Sequence, residues 1–256
     1  MKIHPTAVIH PKAVLADDVE VGAYSVVGEH VTIGAGTRVL SHVSIDGWTD
    51  IGERCELHPF VSVGGPPQHM QYKGEPTKVV IGHDNILREY VTVNRATVQG
   101  GGVTTVGHSN FLMAYVHVAH DCHLGNHLIL ANAASLAGHI SIGDHAIIGG
   151  LSGIHQFVRI GAYAMVGGCC ALGQDLPPFM RAAGGYRARM YGLNSIGLRR
   201  HGFSADRIAA LKKAYEVLFR SGHRVAEAVK LARETFGASQ DVMQVADFMQ
   251  GTKRGI

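Results

Sequence analysis

The sequence predicts a mainly β fold: a parallel β-helix of hexapeptide repeats over residues 1–185, followed by a small α-helical domain over 186–256. Three observations lead there. An aliphatic residue recurs at every sixth position, glycine often follows it, and the pattern turns helical beyond a Pro/Gly-rich boundary. Ile9, Leu15, Val21, Val27, Ile33, Val39, Ile45, Ile51, Leu57 and Val63 keep the six-residue spacing, and its phase returns at Ile81, Leu87 and Val93. After a shift of one it runs through Val106, Leu112, Val118, Leu124, Leu130, Leu136, Ile142, Ile148, Ile154, Ile160, Val166 and Leu172. In a chain that is 46% hydrophobic, the two long runs would arise by chance with a probability on the order of 10⁻⁸.

Neither an α-helix nor an ordinary strand has this period. Six residues suit one short strand and a tight corner, and three such sides make a triangular coil of about 18 residues with the aliphatics inside. Residues one coil apart should then stack at roughly 4.8 Å. The glycines after the aliphatics (Gly22, Gly34, Gly52, Gly143, Gly161) are expected to supply the positive φ that such corners need. Residues 64–79 and 97–105 break the repeat and are expected to project as loops, either as tolerated surface insertions or as parts of a binding site.

The repeat stops near Leu172, and Pro177-Pro178 and Gly184-Gly185 mark the boundary. Ser204 reads as the N-cap of a helix through Ile208, Leu211, Tyr215 and Leu218 that ends at Gly222. Val225–Phe236 and Val242–Met249 read as two more helices. An open prism has an edge and a flat flank, so association of copies is expected, with three as the expected number.

Composition restricts the function. With 33 glycines, 7% aromatic and 17% charged residues, the chain is too apolar for disorder and too glycine-rich for a helical bundle. A net charge of +3 gives no strongly basic footprint, so no nucleic-acid partner is expected. Cys55, Cys122, Cys169 and Cys170 form no CxxC pair. The opening residues lack an apolar signal core, and no uninterrupted apolar run is long enough to span a bilayer. A reduced, cytoplasmic enzyme without a membrane segment is expected. The oddity is 17 histidines.

Several of them cluster. In Tyr115–His123, His117 and His120 stand beside Asp121, and His139 and His155 follow in later coils. By the stacking rule, His120, Gly138 and Gln156 share one line, and Asp121 and His139 share the next. A base, an orienting carboxylate and a glycine N–H therefore converge, which are the parts of acyl transfer. Two other readings stand beside this one: histidines that merely decorate corners, and a zinc site. No three histidines form an obvious trigonal set, and Asp121 beside the base suits acid–base work, so no metal or cofactor is expected. Cys122 reads as a small corner residue rather than a nucleophile.

HVAHDC (117–122), LAGH (136–139), IHQF (154–157), PQHMQYKGEPT (67–77) and LRRHGFS (198–204) resemble the UDP-N-acetylglucosamine acyltransferase family of lipid A biosynthesis over nearly the whole chain. The resemblance implies a left-handed parallel β-helix, a homotrimer with active sites between subunits, and transfer of an (R)-3-hydroxyacyl chain from acyl carrier protein to the sugar 3-hydroxyl. It implies His120 as general base, Asp121 as its partner and Gly138 N–H as oxyanion donor. His117, His139, His155 and Gln156 would contact acceptor or acyl groups. Gln68, His69 and Gln71 would meet the sugar, and Asn194 and Arg200 the nucleotide diphosphate. Gly168 would leave room for a long acyl chain of about fourteen carbons.

The chain departs from the family pattern at His69, Gln71 and Ile196, where Asp, Lys and Glu are usual. The rival activities are therefore N-acylation of a 3-amino UDP-sugar and, from another class, zinc-dependent hydration of the γ-carbonic anhydrase type. A non-catalytic scaffold on the same repeat is a third. Arg159, Arg199 and Arg200 are candidates for docking the acidic carrier protein.

Overall fold

Strands of two to five residues alternate with corners along the chain, and they stack into three sheets of eleven, nine and eight strands. The computed structural model describes residues 1–256. All neighbouring strands run parallel except one terminal hairpin, and the fold is a left-handed parallel β-helix.

In regular coils the paired residues are 18 apart, as in Val26 with Ser44 and His117 with Ser135. The aliphatic at the end of each strand points inward, so Val118, Leu136, Ile154 and Leu172 form one buried column and Leu112, Leu130, Ile148 and Val166 another. Burying each such side chain contributes about 1.5–3 kcal/mol.

The two excursions explain the break in phase. Glu56 pairs with Ile86, thirty residues on, which is twelve more than a regular coil. Twelve is two repeats, so the aliphatic phase survives. Thr92 pairs with His117, twenty-five residues on, seven more than a regular coil, and the phase moves by one. Both excursions are shorter than the expected 64–79 and 97–105. Gly64-Gly65 and Lys78-Val79 lie in strands, and pairing resumes at Val103.

The glycines after the aliphatics do not supply the positive φ. Gly22, Gly34, Gly52, Gly143 and Gly161 lie outside the left-handed region. They are glycines because the next rung passes too close: a β-carbon at Gly34 would stand 2.8 Å from the Gly52 carbonyl carbon. The left-handed residue comes three positions after the aliphatic and is seldom glycine, as in Tyr24, His42, Asp121, His139 and Phe157. Histidine and aspartate tolerate this conformation better than most residues. Part of the histidine surplus is thereby placed: His42, His127, His139 and His145 all sit at such corners. Aromatic rings at one corner stack from rung to rung, with Phe60 4.9 Å from Tyr90 and Tyr90 4.8 Å from Tyr115.

The upper end is closed by an antiparallel hairpin, Met180–Ala183 with Arg189–Leu193, which covers the exposed sheet edge. Helix α1 (Ser195–Arg200) follows, an element the sequence pattern does not reveal. Ser204 caps α2 (Ala205–Tyr215) by accepting from the Arg207 N–H at 3.3 Å. A π-helical turn, Glu216–Arg220, ends that helix just before the expected Gly222. Helices α3 (Val225–Phe236) and α4 (Gln240–Gln250) complete the helical part, and the Arg207–Asp241 pair joins α2 to α4. Arg159 stacks on Phe248 at 4.2 Å, and Thr252 donates to Asp175 at 2.7 Å. Arg159 therefore fastens the helices to the prism and is not a free cation for docking; Arg199 and Arg200 are exposed.

Candidate active site

The site grows from one corner repeated on successive rungs. His117–Val118 pairs with Ser135–Leu136, then Gly153–Ile154, then Ala171–Leu172. The outward side chains diminish from His117 through Ser135 to Gly153 and Ala171, which leaves a trough along the prism. Ala119, Ala137, His155 and Gly173 border it on the next line, and His120, Gly138, Gln156 and Gln174 on the one after. Gln68 closes the lower end and Tyr186–Arg189 the upper, around a cavity of about 900 Å³.

At the foot of this groove the His120 imidazole lies across the backbone of Gly138, one rung up. A β-carbon at position 138 would be 2.6 Å from His120 Cε1, so only glycine permits the ring there. The Gly138 N–H donates to no protein acceptor. His120 Nδ1 is 2.7 Å from Asp121 Oδ2. Since a carboxylate only accepts, Nδ1 carries the proton and Nε2 is left with a lone pair toward the groove. Asp121 is itself buried and held by donors: Thr97 N–H to Oδ1 at 2.9 Å and Thr97 hydroxyl to Oδ2 at 2.8 Å. The Asp121 N–H donates to Thr104 Oγ1 at 2.8 Å, fixing the corner.

Other imidazoles surround His120. His139 meets the His120 ring edge-on at 5.2 Å and stacks on Phe157 at 4.5 Å. His69, carried in by the first excursion, meets the His120 ring edge-on at 5.4 Å. His117 Nδ1 bonds Thr92 Oγ1 at 2.7 Å. Burial, then the neighbouring His120, holds His117 below the usual imidazole value. Burial also lowers His139, partly offset by the Asp121 charge. His120, Asp121 and His139 together have ligand-bearing atoms within 4.8 Å of one another. Asp121, however, already accepts from Thr97 and His120, an arrangement suited to orienting an imidazole. Cys122 is buried beneath this corner, donates to the Ala137 carbonyl at 3.2 Å, and has its thiol pushed up to about 12 by burial, which disfavours the thiolate.

Comparison with known proteins decides the family. The O-acyltransferase of Thermodesulfovibrio yellowstonii, named acyl-[acyl-carrier-protein]–UDP-N-acetylglucosamine O-acyltransferase, is 52% identical over 100% of this chain and 98% of its own. The chain belongs to the UDP-N-acetylglucosamine O-acyltransferase family. The identically named protein of Syntrophobacter fumaroxidans is 48% identical over 100% and 99%. The solved UDP-N-acetylglucosamine O-acyltransferase of Moraxella catarrhalis superposes with a TM-score of 0.97 at 43% identity, over 100% and 99% of the two chains. The Arabidopsis UDP-N-acetylglucosamine acyltransferase gives 0.87 at 31% identity, over 99% of each. A family model described as "Udp N-acetylglucosamine O-acyltransferase; Domain 2" matches residues 175–256, and one of bacterial transferase hexapeptides (six repeats) matches residues 1–35.

Within this O-acyltransferase fold, not every expected residue reaches the groove of one chain. Gln68, His117, His120, Gly138, His155 and Gln156 line it, and His69 and His139 meet the His120 ring. Gln71 is exposed outside it. Asn194 caps α1, accepting from the Gly197 N–H and donating to the Tyr163 carbonyl at 3.0 Å, and Arg200 projects from the end of that helix. Gly168 lies on the opposite corner of the same sheet face, beside Gly150. Thr92, Thr97 and Thr104 are the contributors that sequence reasoning passed over. Thr97 and Thr104 fall inside the expected loop 97–105, whose irregularity was the available signal.

Proposed function

We propose that this chain transfers an (R)-3-hydroxyacyl group from acyl carrier protein to the 3-hydroxyl of UDP-N-acetylglucosamine, the first step of lipid A biosynthesis, in a single displacement without a covalent intermediate. The observation that carries the reading is the alignment of Asp121, His120 and Gly138 at the foot of one groove. His120 Nε2 takes the acceptor hydroxyl proton as that oxygen attacks the thioester carbonyl. The developing oxyanion receives the Gly138 N–H, and Asp121 steadies the imidazolium. When the carbon–sulfur bond breaks, the imidazolium returns its proton to the leaving thiolate.

The names of the relatives support the O-acyl acceptor over a 3-amino sugar, and the Asp121 carboxylate, already accepting from Thr97 and His120, supports acid–base chemistry over a zinc site. The exposed stack of Phe60, Tyr90 and Tyr115 supports association of copies, as the expected homotrimer requires. The four free thiols support a cytoplasmic setting; no helix is long and apolar enough to cross a membrane. Arg199 and Arg200 stand as docking candidates for the carrier. The test is to incubate the protein with hydroxyacyl carrier protein and either UDP-N-acetylglucosamine or its 3-amino analogue, then weigh the products. An ester of the first sugar is expected; acylation of only the amino sugar overturns the acceptor assignment.

A further inference from the structure

We infer that the excursion over residues 95–102, between Asn94 and Val103, is a clamp on the Asp121 carboxylate, with Thr97 as its positioning residue. The inference rests on the general-base reading of His120. The Asp121 side chain is fully enclosed, and a buried carboxylate without donors is strongly disfavoured. Thr97 supplies two donors from one residue, its N–H to Oδ1 and its hydroxyl to Oδ2. Two donors to two oxygens fix the plane of the carboxylate, and that plane aims Oδ2 at His120 Nδ1.

The hydroxyl is itself oriented. The Gly100 N–H donates to Thr97 Oγ1 at 3.1 Å, so that oxygen's own proton is directed at the carboxylate. Gly100 also lies flat against Asp121, where any β-carbon would overlap the carboxylate carbon. The next two glycines serve the turn back, since Gly101 and Gly102 have φ of 104° and 82°. Each member of the glycine triplet thus has a task in folding the excursion over one side chain. The corresponding corner residues on the next rungs, His139 and Phe157, have no such excursion beside them.

A misplaced carboxylate would release the imidazole to the wrong tautomer, a loss that in comparable base–orienter pairs costs far more than the hydrogen bond itself. Thr97→Val keeps the N–H and the shape but removes the hydroxyl. It should lower kcat by about 10–100-fold, leave KM for UDP-N-acetylglucosamine and for the acyl donor near wild type, and be rescued by Thr97→Ser. In ¹⁵N-histidine-labelled protein, the Nδ1–H signal of His120 should weaken in Thr97→Val and return in Thr97→Ser. Gly100→Ala retains every donor yet pushes on the carboxylate, and should reproduce the kcat loss if Thr97→Val does not fold. Wild-type kcat in a folded Thr97→Val, or reduced kcat with an unchanged His120 signal, overturns the clamp. His120→Ala run alongside keeps the two ideas apart: wild-type turnover in that variant defeats the general-base reading itself, whatever Thr97→Val does.

Discussion

His120 and Gly138, eighteen residues apart in sequence, are in van der Waals contact across one rung, with the ring occupying the space a β-carbon at 138 would need. The proposed base and oxyanion donor are thus set against each other by the repeat itself. Gly138→Ala must displace the ring or the rung, since the added carbon would stand 2.6 Å from Cε1. We expect kcat to fall at least about tenfold, a displacement large enough to disturb reacting geometry, while circular dichroism stays unchanged. Normal turnover in this variant would show that the contact has no catalytic consequence.

Removing the imidazole should be more severe. A positioned general base contributes typically about 10²–10⁴-fold, so His120→Ala should lose at least that in kcat. Chelators should leave the native rate unchanged, because the proposed displacement routes no step through a metal; stoichiometric zinc with chelator-sensitive turnover would restore the hydratase reading.

Acid should weaken the fold through its half-buried histidines. His117 and His139 are both held below the ordinary value of 6.5 by burial. Between that value and their lower folded ones, the unfolded chain binds more protons, so stability is full above about pH 6.5 and declines as pH falls through it. It levels off once the folded groups titrate too. Denaturant midpoints measured across about pH 7.5 to 5 should fall with acid, and less steeply in His139→Gln. A midpoint that rises on acidification contradicts the burial argument.

The prism core should tolerate little truncation. Leu130 is 0% exposed in the column between Leu112 and Ile148. Leu130→Ala should cost about 2–5 kcal/mol, read as a lower denaturation midpoint in urea. A change below about 1 kcal/mol would mean that the rungs collapse onto the cavity.

Donor length is the test of Gly168. A glycine there leaves the corner beside Gly150 open, and donors of about fourteen carbons should be preferred to those of about ten by kcat/KM, each methylene contributing under about 1 kcal/mol. Preference for the shorter donor would remove Gly168 from the acyl path.

Much of this molecule could be read from spacing alone. The six-residue aliphatic period dictates the prism, because only one register buries every sixth side chain, and an eighteen-residue coil then puts His120 under Gly138 and Asp121 under His139. The helices from α2 onward were equally legible through the Ser204 cap and their apolar faces. Spacing was silent on what breaks the period. The excursion lengths explain the phase, but which donors close on Asp121, and that Thr97 provides two of them, one backbone and one side-chain, depends on how an irregular segment folds back in space. The corner glycines show the same limit: their pattern was visible, while its cause, the near contact with the following rung rather than a need for positive φ, exists only once the rungs are stacked. Position along the prism was thus set by a local repeat, whereas the directions of the hydrogen bonds around His120 were decided by non-local packing that no repeat encodes.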